Sequence, residues 1–133
     1  MMINLDSLKT EPRQVKLLGV VFDVGYIPAA IDIPFRSEWA RQVNEQLGDD
    51  MSPERYAEWI QDEGNRQKAV QDLAKLIAIF TQFHDESITA GRLLEECTSR
   101  QLDALFAEIV KTLQEDAQKT PVVSDDGSKK KRR

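Results

Sequence analysis

The sequence predicts an α+β fold dominated by helix: a short N-terminal β-hairpin followed by four or five amphipathic helices. Three observations carry this. A Val-, Leu- and Phe-rich stretch over residues 13–28 is punctuated by Gly19 and Gly25 and alternates partly in the manner of strands. From Phe35 onward, apolar residues recur three and four apart. Cap-forming Ser and Thr residues stand at the starts of several of those stretches.

Residues 1–12 read as a short lead-in ending at Pro12. In the hairpin, Val15 and Leu17 alternate with Gln14 and Lys16, and a turn is expected near Leu18-Gly19. Pro28 ends it. A lone two-stranded hairpin is marginal in water, so its apolar face must pack on helices. Phe35, Trp39, Val43 and Leu47 then form one stripe four apart, closed by Gly48 as the C′ residue. This helix starts either with Pro34 as its first residue or with Ser37 as its cap.

Ser52-Pro53-Glu54 reads as cap, first helical residue and acidic first turn of a helix with Tyr56, Trp59 and Ile60 on its apolar face. Gly64-Asn65 interrupts this pattern as a kink or short break. It resumes at Val70, Leu73, Leu76, Ile77, Phe80 and Phe83. A second break falls near Asp85, after which Ser87 or Thr89 caps a short helix carrying Leu93 and Leu94. Thr98 or Ser99 caps the last helix, with Leu102, Leu105, Phe106, Ile109, Val110 and Leu113 on its face. Whether the breaks at Gly64 and Asp85 are hinges is left to the structure. The expected domain covers 1–119, with 120–133 a disordered, basic-ended tail.

Composition narrows function. The 133 residues suffice for one domain with its own core. Setting aside Lys129, Lys130, Lys131, Arg132 and Arg133 leaves 13 basic against 23 acidic residues, a body at −10. That sign repels phosphate and argues against general nucleic-acid binding by the folded part. Cys97 is the single cysteine and His84 the single histidine, so an intrachain disulfide and a typical structural zinc site are both excluded. The longest apolar run, Leu76–Phe80, falls far short of a membrane span of roughly 20 residues. The N-terminus has no signal-like apolar region, and a cytoplasmic protein is expected.

No catalytic, cofactor-binding or metal-binding residue is assigned. Paired acids at 49–50, 62–63, 85–86, 95–96 and 125–126 read as caps and solvated faces, since sequence neighbours do not converge on one point. A Cys97–His84 pair is the one conceivable nucleophile–base arrangement. The plainer reading has Cys97 packing as a small hydrophobe and His84 ending a helix. Trp39, Tyr56 and Trp59 are either core residues or partner-binding anchors. The terminal Lys129–Lys131 and Arg132-Arg133 admit three roles: a solvated end, weak salt-sensitive contact with an acidic surface or nucleic acid, or the imprint of an A-rich codon run forming a slippery site.

Residues 15–34, VKLLGVVFDVGYIPAAIDIP, resemble the opening of tail assembly chaperones of long-tailed (siphovirus-type) bacteriophages. In that family a strand pair of the type apolar–Gly–x–x–aromatic–x–Val precedes the helices. Residues 88–115, ITAGRLLEECTSRQLDALFAEIVKTLQE, are similar to the family's C-terminal helices. The resemblance spans 13–118. It implies a non-enzymatic chaperone in the bacterial host cytoplasm that coats the tape measure protein and keeps it soluble before the tail tube assembles. It also implies a longer frameshifted form that recruits tail tube protein. The alternative class is a small regulatory or nucleic-acid-associated protein acting through its basic tail.

Overall fold

The computed structural model describes residues 2–48 and 52–124. Chain order is β1 (Met2–Asn4), a 3-10 turn (Leu5–Leu8), β2 (Gln14–Leu17), β3 (Val20–Asp23), α1 (Ala29–Leu47), α2 (Pro53–Trp59), α3 (Glu63–His84), α4 (Ala90–Glu96), α5 (Ser99–Gln118) and β4 (Val122–Ser124). The fold is α+β and mainly α, as expected. None of these helices is long and apolar enough to cross a membrane.

The hairpin forms where its chemistry puts it. β2 and β3 pair antiparallel with Val15 opposite Phe22 and Leu17 opposite Val20. Leu18 (φ 52) and Gly19 (φ 81) both occupy the left-handed region, which a two-residue type I′ turn requires. The apolar face carries Leu17 and Phe22, and Val24 continues it, all inside the core. Gly25 is needed for close approach: a Cβ there would collide with the Glu11 carbonyl oxygen and lie 2.8 Å from the Arg13 amide nitrogen.

α3 is the central strut, packing on α1, α4 and α5. The core joins the hairpin to Ile31 and Phe35 of α1, Leu76, Ile77 and Phe80 of α3, Leu93 of α4, and Leu102, Leu105, Ile109 and Leu113 of α5. Phe22 meets Phe80 with ring centroids 5.5 Å apart. Arg13 ties hairpin to helix: it donates to the Glu108 carboxylate (3.0 Å), the Glu115 carboxylate (3.2 Å) and the Glu108 carbonyl (3.0 Å). The Thr112 hydroxyl adds a bond to the Val24 carbonyl at 2.5 Å.

Four expectations are corrected. α1 starts at Ala29, not at Pro34 or after Ser37, and Pro34 lies inside it. The proline leaves the Ala30 carbonyl without its helical amide. The extra turn buries Ile31 completely, on the same side as Phe35. The first break lies at 60–62, with Asp62 capping α3, so Gly64 and Asn65 stand in its first turn. Phe83, although on the helical period, is 52% exposed. Finally, the chain read as a disordered tail from 120 continues as β4, paired with β1 in the register Met2↔Ser124, Ile3↔Val123 and Asn4↔Val122. Residues 125–133, with Lys129–Lys131, and the Asp49-Asp50 pair lie outside the described residues.

Other local readings hold. Ser52 accepts from the Arg55 amide and Thr89 from the Arg92 amide. Thr98 forms a reciprocal capping box with Gln101. Asp85 closes α3, and its carboxylate takes the Ser87 amide and hydroxyl at 3.0 and 2.7 Å. Those bonds hold the carboxylate below its ordinary pKa.

Candidate functional site

The strongest candidate is a cleft of about 500 Å³ between α1, α2, α3 and the start of α5. Helices α1 and α5 build its floor. Trp39 of α1 packs edge-on against Phe106 of α5 at 5.2 Å and against Phe35 at 6.1 Å. Val70, Leu73 and Leu76 of α3 form one wall, and Val43 of α1 the other. Tyr56 of α2 and Ile60 just beyond it form the roof.

That roof is held differently from the floor. α2 buries none of its residues, and Tyr56 is 42% exposed. Its own aromatic pair, Tyr56 and Trp59, meets at a tilt with ring centroids 5.9 Å apart. Polar bonds from α3 hold its C-terminal end: Asn65 donates to the Trp59 carbonyl (2.8 Å), and Arg66 to the carbonyls of Ile60 (3.2 Å) and Gln61 (2.8 Å). These bonds satisfy carbonyls that a helix end leaves open.

The wall between α1 and α3 is polar and paired. The Gln42 amide donates to the Asp72 carbonyl and the Glu38 carboxylate, each at 2.9 Å. Gln46 donates to the Asp72 carboxylate at 2.8 Å. Lys68 reaches both Asp72 (3.2 Å) and Glu45 (3.1 Å). Arg41 bridges Glu38 and Glu45, each at 2.6 Å. The hydrogen bond from Arg41 holds Glu38 below its ordinary pKa, and that from Lys68 does the same for Glu45. Asp72 is thus buried with its charge compensated, which fixes α1 against α3 and leaves the cleft's apolar floor intact.

The sequence-level candidates separate. Trp39 is both floor and partial core, Tyr56 is roof, and Trp59 is half-buried. His84 ends α3 with its ring against Phe22 (5.7 Å), Phe80 (4.9 Å) and Phe83 (5.4 Å). Partial desolvation there pulls its pKa down, opposed by Asp23. Cys97 packs at the core's edge, where burial, and then Glu96, push its thiol pKa up. Among the described residues no hydrogen bond joins Cys97 to His84, and a raised thiol pKa opposes thiolate chemistry. No group of three or more His, Cys, Asp or Glu among the described residues could hold a metal ion.

Gln42 and Asp72 were missed. Their signal was a polar residue on an apolar register, Gln42 three after Trp39 and Asp72 four before Leu76. No family model, no curated protein and no solved structure matches the chain.

Proposed function

We propose that the protein is a non-enzymatic chaperone that holds an apolar helical segment of a client in the cleft between α1, α2, α3 and α5. One observation carries the reading: an aromatic-floored cleft is roofed by a helix that buries no residue of its own. A roof secured by polar bonds at one end can shift to admit a helix at lower cost than one buried in the core. The resemblance stated above makes the client the tape measure protein of a long-tailed phage, with a frameshifted longer form serving the tail tube protein. A long helical client of that kind exposes apolar stripes, and a body at −10 keeps the complex dispersed.

The test is co-expression with such a client. Soluble client should be recovered with the intact chain and with Lys16→Glu on the hairpin, and lost with Tyr56→Glu in the roof. A client that is equally insoluble with and without the chain sinks the reading.

A further inference from the structure

The corner between α2 and α3 has two possible sets of donors for the same carbonyls. The consecutive carbonyls of Trp59, Ile60 and Gln61 meet there, and side chains from the first turn of α3 satisfy them all. Asn65 donates to the Trp59 carbonyl at 2.8 Å, and Arg66 to those of Ile60 at 3.2 Å and Gln61 at 2.8 Å. The Asn65 amide goes to the Asp62 carboxylate at 3.0 Å, the cap of α3. In an unbroken helix the same carbonyls would instead take the amides of Glu63, Gly64 and Asn65, four residues on. Bent corner and straight helix thus satisfy the same acceptors. Ile60-Gln61-Asp62 holds no proline or glycine that would forbid helix.

What keeps the corner bent is modest. Asp62 is extended (φ −75°, ψ 131°) and caps α3. Gly64 is a poor residue for a helix interior but suits the bent form, where a Cβ on it would lie 3.1 Å from the Asp62 carboxylate. Tyr56 and Ile60 line the cleft from above, yet α2 buries no residue of its own.

We propose that residues 60–62 are a two-state joint that governs access to the cleft. Bent, the joint sets Tyr56 and Ile60 over the cleft. Straight, α3 runs back through 60–62 as far as Tyr56, and the roof is withdrawn. Tyr56 then stands about 25 Å along the helix axis from Leu73 and no longer covers it. The chain from Leu47 to Tyr56 reaches up to about 30 Å, so α1 keeps its place. The purpose of the joint rests on the client reading above: a helix that fills the cleft competes with the roof and selects the straight form. Apparent affinity is then the intrinsic affinity reduced by the straight fraction.

Glu63→Pro separates the two forms. Glu63 is the first residue of α3, where proline fits, and the residue before it is already extended. Inside a continuous helix the same proline clashes with the Trp59 carbonyl. Relaxation-dispersion NMR on the free full chain is the experiment. Exchange is expected at 60–65, with a minor state whose Cα shifts at 60–62 are helical. Gly64→Ala should raise that minor population about threefold, and Asp62→Ala about fivefold. Glu63→Pro should abolish it with the thermal midpoint retained. Binding of a labelled amphipathic leucine–lysine peptide should follow suit, tightened about threefold by Gly64→Ala and weakened more than about tenfold by Glu63→Pro. Absence of exchange in the native chain and in both opening variants overturns the joint. A minor state that is not helical at 60–62, or that survives Glu63→Pro, also overturns it. A peptide held equally by the native chain and by Glu63→Pro overturns the joint's control of the cleft. Exchange as expected with no peptide bound by any variant upholds the joint and sinks the client reading instead.

Discussion

The chain builds two two-stranded antiparallel sheets, and they differ in what they bury. The β2–β3 hairpin sets Leu17 and Phe22 into the core, with Val24 just beyond, and Arg13 and Thr112 bond it to α5. The β1–β4 ribbon has a matching antiparallel ladder and leaves its apolar side chains half-exposed. Ladder hydrogen bonds are common to both, so they do not explain why one is integral. Net stabilisation per hydrogen bond is roughly 1 kcal/mol, because water competes for the same groups. Burying a large apolar side chain contributes about 1.5–3 kcal/mol with no such competition. A sheet belongs to a domain through the face it buries.

The sharpest way to break the comparison is to empty the hairpin's face. Phe22→Ala removes a ring that is 1% exposed and packed at a tilt against Phe80 and edge-on against His84. Chemical denaturation should show a loss of about 3–5 kcal/mol. Arg13→Ala comes next. It strips four hydrogen bonds to three α5 residues, Glu108, Glu115 and Thr112, 95 and more positions away, and leaves the Glu108 carboxylate unpaired. The Arg13 side chain is 26% exposed, so a loss of about 1–2 kcal/mol is expected from the same measurement.

How much of this was legible follows from range. Ser52, Thr89 and Thr98 could be read as caps because a cap bonds an amide two or three residues away. The Leu18-Gly19 turn was likewise local. The start of α1 was not, because Pro34 reads as a first helical residue until the burial of Ile31 is known. β4 was invisible, since Val122 and Val123 gain strand geometry only from Ile3 and Asn4 at the far end of the chain. The cleft was half legible. Periodicity put Trp39 and Tyr56 on apolar faces, but it cannot say which face another helix covers.

A gentler probe of the docked hairpin is pH. His84 packs on Phe22, and partial desolvation lowers its pKa in the folded state below the ordinary value of 6.5. The unfolded chain therefore binds a proton more readily there, and folding stability rises with pH in that range. The contribution is present above the unfolded pKa and is lost as pH falls through the folded one. Comparing denaturation midpoints of the native chain and His84→Asn at neutral and mildly acidic pH isolates it. The native chain should lose more stability on acidification than the variant, and equal losses would show that His84 is not the source.

The smallest effect belongs to the ribbon, and its smallness is the point. Ile3→Ser changes a side chain that is 54% exposed. It should move stability by no more than about 0.5 kcal/mol, the range of ordinary surface changes. The hairpin offers the contrast. Phe22→Ala, which opens a hole inside the core, should cost several times more in the same denaturation measurement. Losses of similar size would show that the ribbon, too, holds the domain through its face, and that the two sheets do not differ in the way their burial implies.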